Sequence, residues 1–199
     1  MHSGTKYFGG HSDMLCGTLS VHPKHAEWIK GLRGDRLVLG AVPGSFEGWL
    51  GMRSMRTLEL RVTRQSKTAT DLVSWLASEL SNSSSTVAST VEKIQHASLQ
   101  PEASQPGSWL QQQMPQGYGP VFALWMKDQD LARKLPSKLK LFQHATSLGG
   151  VESLIEWRAM SDSGVDRRLL RVSIGVEGLE DLKDDFTQAF DSLKKEGNK

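Results

Sequence analysis

The sequence predicts an α/β segment at the start, followed by an α+β domain in which helices flank a small and largely antiparallel sheet. Three observations lead there. Apolar residues recur at helical spacing through residues 46–80, short apolar runs separated by loops follow from residue 91, and residues 179–195 close the chain as an amphipathic helix. The two textures meet near residue 57, which divides the chain into residues 1–57 and 58–199.

Residues 15–21 read as a short strand of small residues, and residues 22–32 as a helix after a turn, with Trp28, Ile29 and Leu32 at helical spacing. Pro43 and Gly44 mark a loop before the next helix. There Leu50, Met52, Met55, Leu58, Leu60 and Val62 thread through Arg53, Arg56, Arg61 and Arg64, and Leu72, Val73, Leu76 and Leu80 continue the pattern. One long amphipathic helix, or two end to end, would turn this stripe to a core. The serine-rich stretch at 81–86 stops it.

Residues 91–97 alternate like a strand. A loop rich in Gln, Pro and Ser spans 99–119, holding Pro101, Pro106, Pro115 and Gly117. Residues 121–126 (VFALWM) form an apolar run suited to a buried strand, 128–135 a short helix, 139–145 another strand and 169–174 the last one. In the closing helix Leu179, Leu182, Phe186, Phe190 and Leu193 share a face. Glu180 and Asp181 in its first turn, with Lys194 and Lys195 in its last, suit the helix dipole.

Composition narrows the function classes. The 199 residues are 38% hydrophobic, enough for one domain or two small ones. Balance between 24 basic and 22 acidic residues leaves a net charge of +2, with no basic stripe, so no nucleic-acid partner is expected. A single cysteine, Cys16, cannot form an internal disulfide, and it reads as a small buried residue in a reducing compartment. The first ten residues lack the apolar centre of a secretory signal, and no stretch approaches the ~20 apolar residues of a membrane helix. A soluble cytoplasmic protein with no membrane partner is the expectation. His22 and His25 sit three apart without an evident third ligand, so no metal site is expected. The six tryptophans read as core or interface anchors.

The segment Ser3-Gly4-Thr5-Lys6-Tyr7-Phe8-Gly9-Gly10-His11-Ser12-Asp13 carries the chemistry. Its lysine offers an amine that can condense with an aldehyde. Ser3 and Thr5, with backbone N–H groups, could ligate a phosphate nearby. On chemistry alone a solvated polar turn is the better description. His11 fits a loop-ordering hydrogen bond, and Asp13 an ordering rather than a catalytic role.

S-x-T-K-Y-x-x-G-H-S-D resembles the pyridoxal-phosphate (PLP) attachment segment of the transsulfuration enzymes, the cystathionine lyases and synthases. Three further blocks follow in the same order. Residues 46–58 (FEGWLGMRSMRTL) look like that family's helix entering its C-terminal domain. Residues 147–156 (SLGGVESLIE) are similar to its S-L-G-G-x-E-S-L motif, and residues 169–177 (LLRVSIGVE) to its L-x-R-x-S-x-G-x-E strand.

The resemblance implies the C-terminal half of a fold-type I PLP-dependent transferase. Residues 1–57 would end the large PLP domain, and 58–199 would form the small one. It implies that Lys6 carries PLP as a Schiff base, that Ser3 and Thr5 bind the cofactor phosphate, and that Arg171, aided by Ser147, binds the carboxylate of a sulfur amino-acid substrate. Arg171 has a reason of its own to need a partner. An always-charged guanidinium between Leu170 and Val172 requires one, and a bidentate carboxylate or a structural Asp/Glu salt bridge would each serve. Thr146 occupies a place where family members differ with substrate preference, without choosing among β-lyase, γ-lyase and γ-synthase.

The family places its pyridine-nitrogen aspartate and ring-stacking tyrosine well upstream of the lysine, takes further phosphate ligands from a neighbouring subunit, and assembles as dimers of dimers. Here only five residues precede Lys6. Two expectations therefore stand side by side: an enzyme or enzyme half that cleaves or forms C–S bonds, and a truncated remnant acting at most as an interaction module.

Overall fold

A computed structural model describes residues 1–197. The chain divides into two compact units, Met1–Glu59 and Leu60 onward.

In the first unit β1 (His2–Ser3) pairs antiparallel with β2 (Gly17–Thr18), so the polar start of the chain is docked by a strand that follows it. The strand expected over 15–21 shrinks to those two residues. A 3₁₀ turn at Pro23–His25 leads into α1 (Glu27–Val38), which starts and ends later than the helix expected over 22–32, and α2 (Ser45–Met55) follows the Pro43-Gly44 loop. Few large side chains in this unit are buried. Met14 and Leu50 are, whereas Leu15, Trp28, Leu37, Val38, Phe46, Trp49, Met52 and Met55 face solvent. The apolar stripe expected to face a core through residues 50–62 does so only at Leu50. Cys16 is half-buried rather than buried.

The second unit has an orthodox core. Its long helix α3 (Leu58–Ser81) buries Gln65, Ala69, Leu72, Val73 and Leu76, a spacing of three and four that lays one stripe on the sheet. A short helix α4 (Thr86–Thr90), capped by the Ser85 hydroxyl, turns the chain into β3 (Val91–Gln95). The loop after β3 contains α5 (Trp109–Gln113), with its own serine cap at Ser108. Then come β4 (Val121–Met126), α6 (Gln129–Lys138), β5 (Gln143–His144), β6 (Leu154–Trp157), β7 (Leu169–Ser173) and α7 (Leu179–Gly197).

The described residues form a five-stranded sheet of order β3-β4-β7-β6-β5, antiparallel except between β5 and β6. Phe122, Leu124, Met126, Ile155, Leu170 and Val172 point to one face. There they meet α3, α6 and α7 through Leu72, Leu76, Leu135, Leu182, Phe186 and Phe190. Phe186 packs between Phe142 and Phe190, with ring centroids 4.8 and 5.5 Å away. Alternate residues necessarily point the other way. The run VFALWM, which reads as wholly buried, therefore splits into two faces, with Val121, Ala123 and Trp125 half-buried on the side away from the helices.

One expected strand shortens and one unforeseen strand forms, each for an identifiable reason. The strand expected over 139–145 survives only as β5, because the Lys140 and Leu141 N–H groups donate to the Asp185 carboxylate at 2.8–3.1 Å instead of to a neighbouring strand. β6 is a four-residue strand hidden in a stretch with no alternation of its own. Neighbouring strands on both sides, β5 and β7, hold it in place.

The loops before β6 and after β7 clasp each other. Glu177 accepts from the Ser153 N–H (2.7 Å) and hydroxyl (2.8 Å), and the same hydroxyl accepts from Gly175 N–H at 2.9 Å. Ser173 accepts from Gly149 N–H, and Gly149 sits at φ +80°, where a side chain would be strained. A Cβ on Gly175 would lie 2.1 Å from the Val151 carbonyl, so only glycine allows the approach. Glu177→Ala leaves the Ser153 donors without a carboxylate and should cost about 2–4 kcal/mol, read as a lower urea midpoint.

His96 follows β3 and is buried. Its Nε2–H donates to the Gly119 carbonyl (3.0 Å), and Nδ1 accepts from the Ser98 N–H and hydroxyl. Both nitrogens are thus satisfied by the neutral ring, and burial pushes its pKa below the ordinary 6.5, against a smaller upward pull from Gly119. The unfolded chain then binds the proton first as pH falls, so stability should decline as pH drops from about 6.5 through the lower folded value. Denaturation midpoints measured against pH should lose that slope in His96→Gln.

Candidate functional site

The first unit holds Lys6 on a tight turn. Gly4 and Thr5 N–H groups donate to the Cys16 carbonyl, Lys6 N–H to Ser3, Gly9 N–H to Gly4 and Gly10 N–H to Lys6. Thr5 Oγ1 accepts from Cys16 N–H at 3.2 Å. A Cβ on Gly4 would lie 2.2 Å from the Cys16 sulfur, so a side chain here would push that sulfur out of its place beside the turn. Lys6 and Thr5 are half-buried and Ser3 is exposed. Burial pushes the neighbouring Tyr7 phenol above its ordinary pKa, keeping it protonated. His11 Nδ1–H donates to the Gly9 carbonyl (2.8 Å), the loop-ordering bond expected of it.

For PLP the donor set of this turn fits, with one correction. An amine and two hydroxyls that can still donate are suitable groups for an aldehyde and a phosphate. The backbone N–H groups of Gly4, Thr5 and Lys6, expected to share in phosphate binding, are occupied inside the turn.

The second unit brings Arg171 and Ser147 together on the sheet face away from the helices. Register places Gln95, Ala123, Arg171 and Glu156 in one row across β3, β4, β7 and β6. Arg171 Nη2 donates to the Ser147 carbonyl at 3.1 Å and pairs with Glu156 Oε2 at 2.7 Å. Of the two partners foreseen for this arginine, the internal carboxylate is present. Ser147 contributes its carbonyl to the contact, and the clasp described above is what carries that carbonyl over the sheet.

Glu156 is the residue that sequence reasoning missed. Its side chain is 3% exposed and also takes Arg158 Nη1 (3.0 and 3.1 Å) and the Ser161 hydroxyl (2.6 Å). Burial pushes this carboxyl up, but hydrogen bonds from Ser161 and Arg158, the charge of Arg171 and a hydrogen bond from Thr146 outweigh that and hold it below the ordinary carboxylate range. It is an anion at neutral pH. The signal available was a charged residue at the i+2 position from Leu154 in a motif already singled out, with Arg158 and Arg171 among the arginines downstream. Beside Arg171 lies an open recess of about 420 Å³ lined by Gln95, His96, Gln100, Ala123 and Arg171.

Elsewhere, His22 Nδ1 caps the 3₁₀ turn by accepting Lys24 N–H, and the His25 ring stacks on Trp28. Among the described residues no group of three His, Cys, Asp or Glu is placed to hold a metal ion, and no helix is long and apolar enough to cross a membrane. Trp28, Trp49 and Trp109 are exposed, not core anchors, while Trp75 and Trp157 pack against the core.

Comparison with known proteins places these features. The chain is 31% identical to the cystathionine beta-lyase of Lactococcus lactis subsp. cremoris over 203 residues, covering 96% of this chain and 50% of that protein. It is 35% identical to the cystathionine gamma-synthase of Mycobacterium tuberculosis over 200 residues, covering 96% and 48%. Among solved structures, cystathionine gamma-lyase from yeast superposes with a TM-score of 0.78 at 29% identity, over 97% of this chain and 49% of that one. A methionine gamma lyase from Micromonospora echinospora gives 0.77 at 30%, over 94% and 48%. The chain thus spans about half the length of the relatives it matches. The profile of the Cys/Met metabolism PLP-dependent enzymes covers residues 1–191, and the chain belongs to that family.

Proposed function

We propose that this chain supplies the cofactor lysine and the substrate-carboxylate arginine of a PLP-dependent enzyme that cleaves or forms carbon–sulfur bonds in cystathionine-like amino acids. In this reading residues 1–57 end the cofactor domain, residues 58–199 form the small domain, and the assembly is a homo-oligomer. The observation that supports it most is the placing of Arg171. A strand arginine stands on the sheet face away from the helices, at the wall of a recess, with part of its fork still available.

PLP, when bound, supplies an electron sink for the bond broken at the substrate Cα. The chain's own residues do the rest. Lys6 Nζ holds the cofactor and afterwards moves the proton at Cα. The Ser3 and Thr5 hydroxyls donate to its phosphate. Arg171 takes the substrate carboxylate, and the Ser147 carbonyl limits how the guanidinium can turn.

A second reading, an interaction module without catalysis, draws on the many solvent-facing apolar side chains of residues 1–59. One experiment separates the two. The chain is incubated with PLP, reduced with borohydride and mapped by peptide. The label is expected on Lys6 in at least tenfold excess over other lysines, and to vanish in Lys6→Ala. Labelling scattered over surface lysines would favour the module.

A further inference from the structure

Arg171 is held along one edge only. Its Nη2 carries two N–H groups, and these account for the Ser147 carbonyl at 3.1 Å and Glu156 Oε2 at 2.7 Å. A guanidinium has five N–H groups in a rigid planar fork. Those on Nε and Nη1 meet no partner among the described residues, on a side chain that is 25% exposed and lines the recess.

The partner on the held edge is itself fixed. Glu156 stands directly across from Arg171 in the β6–β7 register, so its backbone cannot slide relative to the arginine. Its carboxylate is oriented by the Ser161 hydroxyl, by Arg158 and by Thr146. Arg158 has a further partner in Asp162, 3.9 Å away and 47% exposed, which solvent screens. A buried carboxylate with this many donors is a costly way to gain stability alone. It is an efficient way to fix the plane of a guanidinium.

We propose that Glu156 is a positioning residue: it pins the Nη2 edge of Arg171 so that the remaining N–H groups face the recess and receive the carboxylate of an amino-acid ligand. This deepens the reading above and rests on it, because the ligand carboxylate is the one assigned to Arg171 there.

Charge and position make opposite predictions for Glu156→Gln. Removing a negative charge beside Arg171 should tighten carboxylate binding if electrostatics alone matters. Losing the pin should weaken it about tenfold, the scale of one charge-assisted hydrogen bond. The measurement is side-chain ¹⁵N NMR of the full chain, with Arg171 signals assigned by Arg171→Lys. Without ligand, the wild-type Nη signals should be resolved by restricted rotation and should average in Glu156→Gln. On titration with L-cystathionine, the wild-type Nε signal should shift, with affinity about tenfold lower in the variant. Glu156→Asp keeps the charge but shortens the reach, and it should also lose the restriction; it serves as the test if the glutamine variant does not fold. A variant that keeps the restricted signals, or binds as tightly as wild type or better, overturns the positioning role alone. A wild-type Nε signal indifferent to the ligand overturns the carboxylate assignment to Arg171 and this inference with it.

Discussion

The clasp between the loops that flank β6 and β7 is the constraint on which the second unit's chemistry depends. Ser153 joins Glu177 and Gly175, Ser173 takes the Gly149 N–H, and both glycines are required by geometry. Side-chain hydrogen bonds of this kind lie away from the helical core, and besides their share of stability they fix the path of the backbone. The path they fix carries the Ser147 carbonyl onto the guanidinium of Arg171.

One-sidedness of the sheet explains why an arginine can occupy the middle of an apolar strand. Leu170 and Val172 face the helices, and Arg171 faces away, opposite Glu156 and Ala123. Period-two alternation separates the two environments within one residue step. Desolvation of Glu156 is offset by two guanidinium groups and two hydroxyls, which leaves the pair charged at neutral pH. A wholly buried strand, as the run VFALWM suggests for β4, would have had no place for such a group.

The first unit works by different means. Its lysine turn is shaped by backbone hydrogen bonds to the carbonyls of Cys16, Ser3, Gly4 and Lys6, and by a glycine that lets the sulfur approach. Those bonds define the turn and at the same time occupy its N–H groups. Away from this turn the unit buries little, and its helices present apolar side chains to solvent. The hydrophobic effect that organises the second unit contributes correspondingly little here.

Local pattern was sufficient for the elements with strong periodicity. The stripe of α3 at Leu72, Val73 and Leu76, the closing helix with Phe186 and Phe190, the strands at Val121–Met126 and Leu169–Ser173, and the family through its Lys6 and glycine motifs were all legible in residue order alone. Each is fixed by side chains close in sequence. What tertiary structure decided involves residues far apart. Asp185 draws Lys140 and Leu141 out of a strand, neighbours on both sides make a strand of Leu154–Trp157, and Met52 and Met55 stay exposed despite their spacing. The Glu156 partner of Arg171 belongs to the same class. Cross-strand register chose it from several acidic residues, and register depends on how strands pair, which periodicity within one strand does not specify.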